Sequence, residues 1–317
     1  MDFGDFYGND GLKRRLQAAV VQNKMPHSIL ISGPAGSGKK TLATLIAAAL
    51  QCTGSGEKPC RRCNACRKVF SHQHPDVIIA DDASKKIVPV SLIREIRADM
   101  AIYPNEGNRK IYIFPRAHDM NDAAQNALLK IMEEPPTYGV FLLLTENADK
   151  LLPTIRSRCA EWGLSPLPPA LLQQLLHRQF PERSDEEIES AQFRSGGYLG
   201  QALEMLHSAG ALLPQTVAFA QAYTANNRHA LLQVLVPMEK LKREQLLPIL
   251  VQWHMLLEQT LLFQAGLPAA FTECRAIARR RTGAELLRGV QILQRAQELA
   301  TANVGVGHIC GALSVQL

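Results

Sequence analysis

The strongest constraint on the fold is a short segment in which an apolar run leads into a glycine-rich loop and then into a helical pattern. The run reads SILIS from residue 28, the loop reads GPAGSGK from residue 33, and KKTLATLIAAAL continues as a helix. Such a strand–loop–helix unit points backbone N–H groups and a helix N-terminus at one place, which favours binding of phosphate groups. The residues predicted to form this phosphate loop are Gly33, Gly36, Gly38, Lys39 and Lys40.

Three further apolar runs, DVIIA, KIYIF and GVFLLL, follow this unit and are separated by helical patterns. Strands that alternate with helices predict a parallel α/β sheet covered on both faces, with ligands at the carboxyl ends of its strands. The helical patterns SLIREIRADMAIY and NDAAQNALLKIM each have one apolar face. Those faces are predicted to be Leu92, Ile96, Met100 and Tyr103 in the first, and Ala124, Leu128 and Ile131 in the second.

The character of the chain changes after Cys159, where we recognise no further strand pattern. A proline-rich segment, GLSPLPPALL, reads as a hinge, and SDEEIESAQ carries a capping box formed by Ser184 and Glu187. From about residue 210 the chain reads as successive helices rich in Leu, Ala and Gln. The predicted domains are an α/β domain over 1–165, a small helical domain over 166–208 and an all-α domain over 209–317.

Charge and hydropathy limit the classes of protein that remain. Lys and Arg outnumber Asp and Glu by 35 to 29, and this modest surplus suits contact with a polyanion without requiring it. Asp2 and Asp5 stand where a signal peptide would be basic, and the most apolar run, LLPILVQWHMLLEQTLLFQAG, is interrupted by Pro248, His254 and Glu258. We therefore expect no secretion signal and no membrane span, and we interpret that run as a buried helix.

Two substitutions argue against ATP hydrolysis by this chain. A Ser or Thr hydroxyl that could hold Mg²⁺ should follow Lys39, but Lys40 stands there and Thr41 is one position late. The second strand should run into acidic residues, but Pro115 and Arg116 follow KIYIF, and Asp119 lies too far on. Hydrolysis of ATP with Mg²⁺ is therefore not expected. Nucleotide binding without turnover and an empty structural turn both remain open.

Four of the seven cysteines lie in CTGSGEKPCRRCNAC, with C-x7-C-x2-C-x2-C spacing. Cys52, Cys60, Cys63 and Cys66 are predicted to hold a structural Zn²⁺ in a module over 52–66, because four thiolates close a tetrahedral site. An iron–sulfur cluster and free thiols are the alternatives. His72 and His74 are expected to be surface histidines. The basic residues around the cluster either contact nucleic acid or belong to a solvated loop: Arg61, Arg62, Arg67 and Lys68. Because the cysteine pattern is not that of a disulfide framework, we expect a reducing, cytoplasmic environment.

Several segments taken together resemble bacterial clamp-loader subunits of DNA polymerase III, which are AAA+ proteins. These are PHSILISGPAGSGKKTLA, the four-cysteine module, GNRKIYIFPRAHDMNDAAQNALLKIMEEPP and FLLLTENADKLLPTIRSRC, and the resemblance covers about residues 1–205. Two kinds of subunit share the motifs: the motor keeps both Walker motifs, whereas the delta-prime kind has degenerate ones. Lys40, Pro115 and Arg116 favour the delta-prime kind. So does Gly200, which lies near where the motor would carry a sensor arginine.

The resemblance implies an AAA+ domain with a zinc module, a helical lid and a helical collar. It also implies a heteropentameric ring with gamma/tau motor and delta subunits, which opens the sliding clamp and places it on primed DNA as part of a polymerase (nucleotidyltransferase) holoenzyme. In that ring Arg158, between Ser157 and Cys159, would act as an arginine finger in a neighbour's ATP site.

Other interpretations remain beside these. Arg158 could instead form a salt bridge with Glu133, Glu134 or Glu161, and Arg156 is a nearby competitor for the finger role. For the chain as a whole, the alternatives are an active motor ATPase and a zinc-stabilised DNA-binding module outside any loader.

Overall fold

The computed structural model describes residues 3–4, 6–81, 87–208, 212–267, 271–302 and 304–317. The chain divides into two compact units, one of Met1–Pro168 with Tyr198–Gln201 and one of Pro169–Gly197 with Ala202–Leu317. The division into three domains stays a prediction.

The strands of the first unit are β1 Ser28–Ser32, β2 Val77–Ile79, β3 Lys110–Phe114, β4 Gly139–Thr145 and β5 Ala160–Gly163. The helices before residue 160 are α1 Asp10–Val21, α2 Lys39–Gln51, α3 Asn64–Phe70, α4 Val90–Asp99, α5 Asp122–Glu133 and α6 Pro153–Arg156. The later helices are α7 Pro169–Gln179, α8 Asp185–Arg194, α9 Leu199–Ser208, α10 Pro214–Thr224, α11 Arg228–Met238, α12 Arg243–Gln264, α13 Thr272–Ala278, α14 Gly283–Thr301 and α15 Val306–Gln316.

The five strands form one parallel sheet in the order β2-β3-β4-β1-β5. Alternate residues of β1 face opposite sides, and both sides are buried. Ile29 and Ile31 pack in the cluster that includes residues of α1 and α2, and Leu30 packs in the cluster that includes residues of α4 and α5. A parallel α/β sheet with helices on both faces, as predicted from the sequence, is confirmed.

The structure corrects two expectations about this unit. A fifth strand, β5, follows Cys159, where no strand pattern was recognised; of its four residues only Trp162 is buried, so its sequence shows no alternation. In α4 the buried residues are Ile93 and Ile96, and Met100 beyond the helix is also buried, whereas Tyr103 is 77% exposed. The helix ends at Asp99, so the helical period used to place Tyr103 no longer applies there.

The second unit is all helical in the part that the structure describes. In its core Trp253 is fully buried and stacks on Phe219, with ring centroids 4.1 Å apart. The capping box of Ser184 and Glu187 at the start of α8 is present as predicted. Among the described helices, only Arg243–Gln264 is long and apolar enough to cross a membrane. It packs along one side into this core, and a single such helix is weak evidence for a span.

Candidate functional site

The predicted phosphate loop connects the carboxyl end of β1 to the first residue of α2. Gly36 and Gly38 have φ values of 68° and 94°, a left-handed conformation that glycine adopts without strain, and Gly38 is the N-cap of α2. The local sequence thus folds into the strand–loop–helix unit expected of it. Lys40 and Thr41, at the start of α2, are both exposed.

The side chain of Lys39 turns back onto the loop itself. Its Nζ donates hydrogen bonds to the carbonyl oxygens of Gly33 and Pro34, both at 2.7 Å, and lies 3.9 Å from a carboxylate oxygen of Glu146. Lys39 is 8% exposed, and burial lowers the pKa of its ammonium against the opposing effect of Glu146. Two of the three N–H donors of the Lys39 ammonium are therefore already bonded to carbonyl groups of the loop and are not available to a phosphate.

A distant segment of the chain, Tyr198–Gln201, covers the same loop. The backbone N–H of Gly200 donates to the carbonyl oxygen of Gly36 at 3.0 Å, and Nε2 of Gln201 donates to that of Ala35 at 2.9 Å. A Cβ on Gly200 would lie 2.6 Å from the Gly36 oxygen, so only glycine allows this approach. The sequence indicated Gly200 only as the place of a missing arginine, and the structure shows that it packs against the phosphate loop.

Replacing Gly200 with alanine is expected to destabilise the first unit, because the new methyl group would displace the Gly36 carbonyl. Overpacking of this kind costs about 1–3 kcal/mol, which denaturant unfolding would measure. Gly11→Ala on α1 is the control, because a Cβ at this position meets no atom within 4 Å. The free energy of unfolding of the Gly11→Ala variant should be unchanged or slightly higher than that of the wild type. Equal stability of the Gly200 and Gly11 variants would contradict the packing role.

A guanidinium stands at the carboxyl end of β3, where a metal-holding acid would be needed. Arg116 pairs with Asp81, its Nη2 lying 2.7 Å from Oδ1, and its Nη1 lies 3.4 Å from Oδ2 of Asp119. The hydrogen bond to Asp81 is the largest cause that raises the pKa of Arg116. The carboxylates of Asp81 and Asp119 are thus both engaged by one guanidinium.

At the end of the neighbouring strand β4, Thr145 is fully buried and bonds within its own turn. Its Oγ1 donates to the carbonyl oxygen of Asn147 at 2.8 Å and accepts from the N–H of the same residue at 3.1 Å. The hydroxyl is therefore engaged in closing the turn after β4.

The four clustered cysteines come together as the spacing predicts. The Sγ atoms of Cys52, Cys60, Cys63 and Cys66 all lie within 4.8 Å of one another. Zinc–sulfur bonds of about 2.3 Å in a tetrahedron give sulfur–sulfur distances of about 3.8 Å, so small side-chain movements suffice to close the site. Since the cluster offers four soft ligands, it could hold a metal ion and is compatible with structural zinc.

Backbone N–H groups surround the sulfur atoms. The N–H groups of Cys60, Cys63 and Cys66 donate to the Sγ atoms of Cys52, Cys60 and Cys63 respectively, at 3.3–3.4 Å. Burial acts to raise the pKa of Cys63, but hydrogen bonds, first from the N–H of Cys66 and then from that of Thr53, outweigh it and lower the pKa to about 5. Burial raises the pKa of Cys66. A metal ion would favour the thiolate at every position.

The expectation that both nearby histidines lie on the surface is wrong for His74. This residue is 4% exposed, and its Nδ1 accepts a hydrogen bond from the backbone N–H of Asp76 at 3.2 Å. Asp76 is also buried and accepts from the N–H groups of Asn105, Glu106 and Gly107. The pair therefore belongs to the packing between β2 and the loop that precedes β3.

The basic residues around the cysteines have local partners. The guanidinium of Arg61 lies 5.0 Å from the centre of the Phe70 ring, and Lys68 forms an ion pair with Glu106 at 2.6 Å. Arg62 and Arg67 are exposed.

Arg158 follows the short helix α6 and lies at the surface. Its Nη2 is 3.1 Å from Oε1 of Glu133, and its Nη1 donates to the carbonyl oxygen of Thr154 at 3.0 Å. Its side chain is 38% exposed. The salt bridge to Glu133 considered from the sequence is thus present in the free chain.

The neighbours of Arg158 are held differently. Arg156 pairs with two carboxylates, those of Glu161 and Asp149, each at 3.0 Å. Burial, followed by the charge of Glu161, raises the pKa of the Cys159 thiol to about 12. Arg156 would have to break ion pairs with two carboxylates to bind another anion, whereas Arg158 would have to break the ion pair with Glu133.

A family model described as DNA polymerase III, delta subunit, matches residues 8–168, about half of the chain, and includes the phosphate loop, the cysteine cluster and Arg158. The chain belongs to this family. The sequence-based prediction of a DNA polymerase III clamp-loader subunit is thus confirmed at the level of the family.

Curated members with both kinds of name match the chain. The DNA polymerase III subunit delta' of Haemophilus influenzae is 34% identical over 139 residues, which is 44% of this chain and 42% of that protein. Subunit tau of Bacillus subtilis is 38% identical over 158 residues, 50% of this chain and 28% of that protein. Subunit tau of Escherichia coli is 33% identical over 218 residues, 68% of this chain and 33% of that protein. The matches thus span about a quarter to two fifths of these relatives.

Among solved structures, a DNA polymerase III gamma subunit-related protein from Thermotoga maritima resembles the chain over 97% of both lengths, at 19% identity. Its TM-score is 0.45.

Proposed function

We propose that this chain is a non-catalytic, delta-prime-type subunit of the DNA polymerase III clamp loader. It helps to load the sliding clamp on primed DNA and donates Arg158 to the ATP site of a neighbouring subunit. The observation that carries the non-catalytic assignment is the guanidinium of Arg116 at the end of β3, which pairs with Asp81 and Asp119. A divalent cation needs free oxygen ligands, and here the guanidinium already engages the oxygens of both carboxylates.

The closed state of the phosphate loop supports the same proposal. Lys39 donates to two carbonyl groups of the loop, and Gly200 and Gln201 donate to two others. A nucleotide phosphate would have to displace the bonds of Lys39 before it could use that ammonium. We infer that the loop serves as a rigid structural turn and that ATP with Mg²⁺ is not hydrolysed there.

The proposed role of Arg158 rests on its position and on the chemistry of phosphoryl transfer. Negative charge spreads over the γ-phosphoryl oxygens in the transition state, and a guanidinium supplied by a neighbour stabilises it. Arg158 is partly exposed and makes one ion pair, so it could exchange the Glu133 carboxylate for phosphate oxygens at little cost.

The remaining parts of the proposal follow from the family. The partners are gamma/tau motor and delta subunits in a five-membered ring, the sliding clamp, and primed DNA contacted through the assembled complex, all in the cytoplasm. Cys52, Cys60, Cys63 and Cys66 hold a structural Zn²⁺. Residues 166–208 form the lid, and 209–317 form the collar.

The purified chain is expected to show no Mg²⁺-dependent ATPase activity, because it lacks oxygen ligands for the cation at both motif positions. A phosphate-release assay would measure this, with Lys39→Ala as the matched variant. Any background signal should be identical in the two proteins. Turnover that is present in the wild type and lost in Lys39→Ala would show an active motor subunit instead.

An active motor subunit is the second candidate, favoured by the relatives named gamma or tau that match the chain. The same assay separates the two candidates, since only the motor hydrolyses ATP by itself.

A further inference from the structure

The second unit contains a hollow lined mainly by residues of four helices. It lies between the end of α10, the first turns of α11 and α14, and the end of α15, and it encloses about 360 Å³. This volume is within the range of small ligand sites, which begins at about 300 Å³.

Part of the lining of the hollow is apolar. Leu231 on α11 is buried, Ile292 on α14 is half-buried, and Val315 on α15 is 71% exposed. Val315 is therefore a large apolar side chain at the edge of a cavity and open to solvent. Contact of these three side chains with an apolar group of a ligand would remove their remaining surface from water.

The lining also includes three arginines, Arg228, Arg281 and Arg288, and their charges are unevenly satisfied. Arg281 is engaged, since it donates twice to the carbonyl oxygen of Tyr223 and lies 3.2 Å from a carboxylate oxygen of Glu285. Arg228 donates only its Nε, to the carbonyl oxygen of Ser314 at 3.3 Å. Arg288 is exposed, and within the described ranges neither Arg228 nor Arg288 has a carboxylate in salt-bridge distance.

The N-terminus of α11 also borders the hollow. Asn227 is its N-cap and accepts from the N–H of Ala230 at 3.1 Å, and Asn226, Asn227 and Arg228 all line the hollow. The first N–H groups of a helix have no intrahelical acceptor, and the helix dipole places partial positive charge there. An anion in the hollow would therefore meet two guanidinium groups and this helix end, and it would be opposed by the carboxylate of Glu285 and by the carboxyl-terminal ends of α10 and α15.

We propose that the hollow binds an acidic peptide segment of a partner protein. A carboxylate of that segment pairs with Arg228 and Arg288, and an adjacent apolar side chain packs on Leu231, Ile292 and Val315. Nucleic acid fits less well, because phosphate backbones bind along extended basic surfaces, whereas this hollow is confined to about 360 Å³.

The test uses the full-length chain with ¹³C-labelled methyl groups and two peptides. One is acetyl-Gly-Asp-Phe-Asp-Gly-amide, and the other carries Asn in place of both Asp residues. The acidic peptide should shift the methyl resonances of Leu231, Ile292 and Val315 in a saturable way. The Asn peptide should bind about tenfold more weakly or worse, since charge-assisted hydrogen bonds are lost.

Three double variants locate the site, and the two that introduce Glu have the same change of charge. Arg228→Glu with Arg288→Glu should abolish the shifts, and the milder Arg228→Gln with Arg288→Gln should weaken binding by about tenfold. Arg279→Glu with Arg280→Glu, at a different cavity of the same unit, should leave binding unchanged.

Four outcomes would overturn the proposal. They are the absence of any methyl shift at millimolar peptide, equal affinity for the two peptides, equal loss in both double Glu variants, and displacement of the acidic peptide by inorganic phosphate or a 20-base-pair duplex at matched concentration. The last outcome would assign the hollow to phosphate rather than to a peptide.

Discussion

Arg158→Ala is expected to slow ATP hydrolysis about 10³-fold or more at the neighbouring ATP site that we propose this residue completes. The guanidinium would stabilise charge that develops on the γ-phosphoryl oxygens, and alanine supplies nothing in its place. Sites completed by other chains should keep their rates. The measurement is the pre-steady-state burst of phosphate release by the assembled loader in the presence of clamp and primed DNA. The amplitude of the burst should fall by the fraction that this one ATP site contributes.

The loss would not be explained by unfolding. The ion pair between Arg158 and Glu133 is 38% and 46% exposed, and such surface pairs contribute about 1 kcal/mol or less. Arg158→Lys keeps the charge but not the planar fork of donors, so it should remain strongly impaired.

Arg156→Ala is the matched control, because Arg156 lies two residues away and is held by Glu161 and Asp149. We expect a normal burst from this variant. A normal burst from Arg158→Ala, or equal defects in the two variants, would assign Arg158 to the Glu133 ion pair alone.

Removal of zinc is the second large effect that we expect. Structural zinc in small modules binds with apparent free energies of the order of 10 kcal/mol, and this energy stabilises the folded module. The purified chain should contain one zinc ion, and treatment with 1,10-phenanthroline should unfold the loop between α2 and α3. The sheet should stay folded, because its two apolar clusters do not include the four cysteines.

Trypsin offers a direct readout of this local unfolding. Arg61 and Arg62 lie inside the module, and the Arg61 side chain packs on Phe70, so cleavage there should be slow with metal and fast without it. Cys60→Ser with Cys63→Ser should lose the metal and be cleaved quickly.

Cys310→Ser is the control for the cysteine variants, since Cys310 is buried in the second unit, away from the cluster. It should retain one zinc ion. A wild-type chain free of zinc, or one that contains iron and absorbs visible light, would contradict the assignment.

Together these predictions describe a chain that retains the phosphate loop without the chemistry. The hydrogen bonds that close the loop come from Lys39 within it and from Gly200 and Gln201 far along the sequence. We propose that a loop held in this way serves as a fixed surface for a partner.

The sequence by itself determined the features that depend on short spacing. The glycines of the phosphate loop, the four cysteines, the capping box at Ser184 and the strands around SILIS and KIYIF all follow from neighbouring residues and local periodicity. The sequence likewise showed that Pro115 and Arg116 stand where the motif requires acidic residues after β3.

Only the tertiary structure decided the features that join distant residues. Gly200 meets Gly36 across more than 160 positions, β5 exists because it pairs with β1, and His74 is buried because Asp76 ties down the loop at 105–107. A local pattern cannot show which distant backbone will supply a hydrogen bond or cover a side chain. The free energy of such contacts depends on packing that forms only when the whole chain folds.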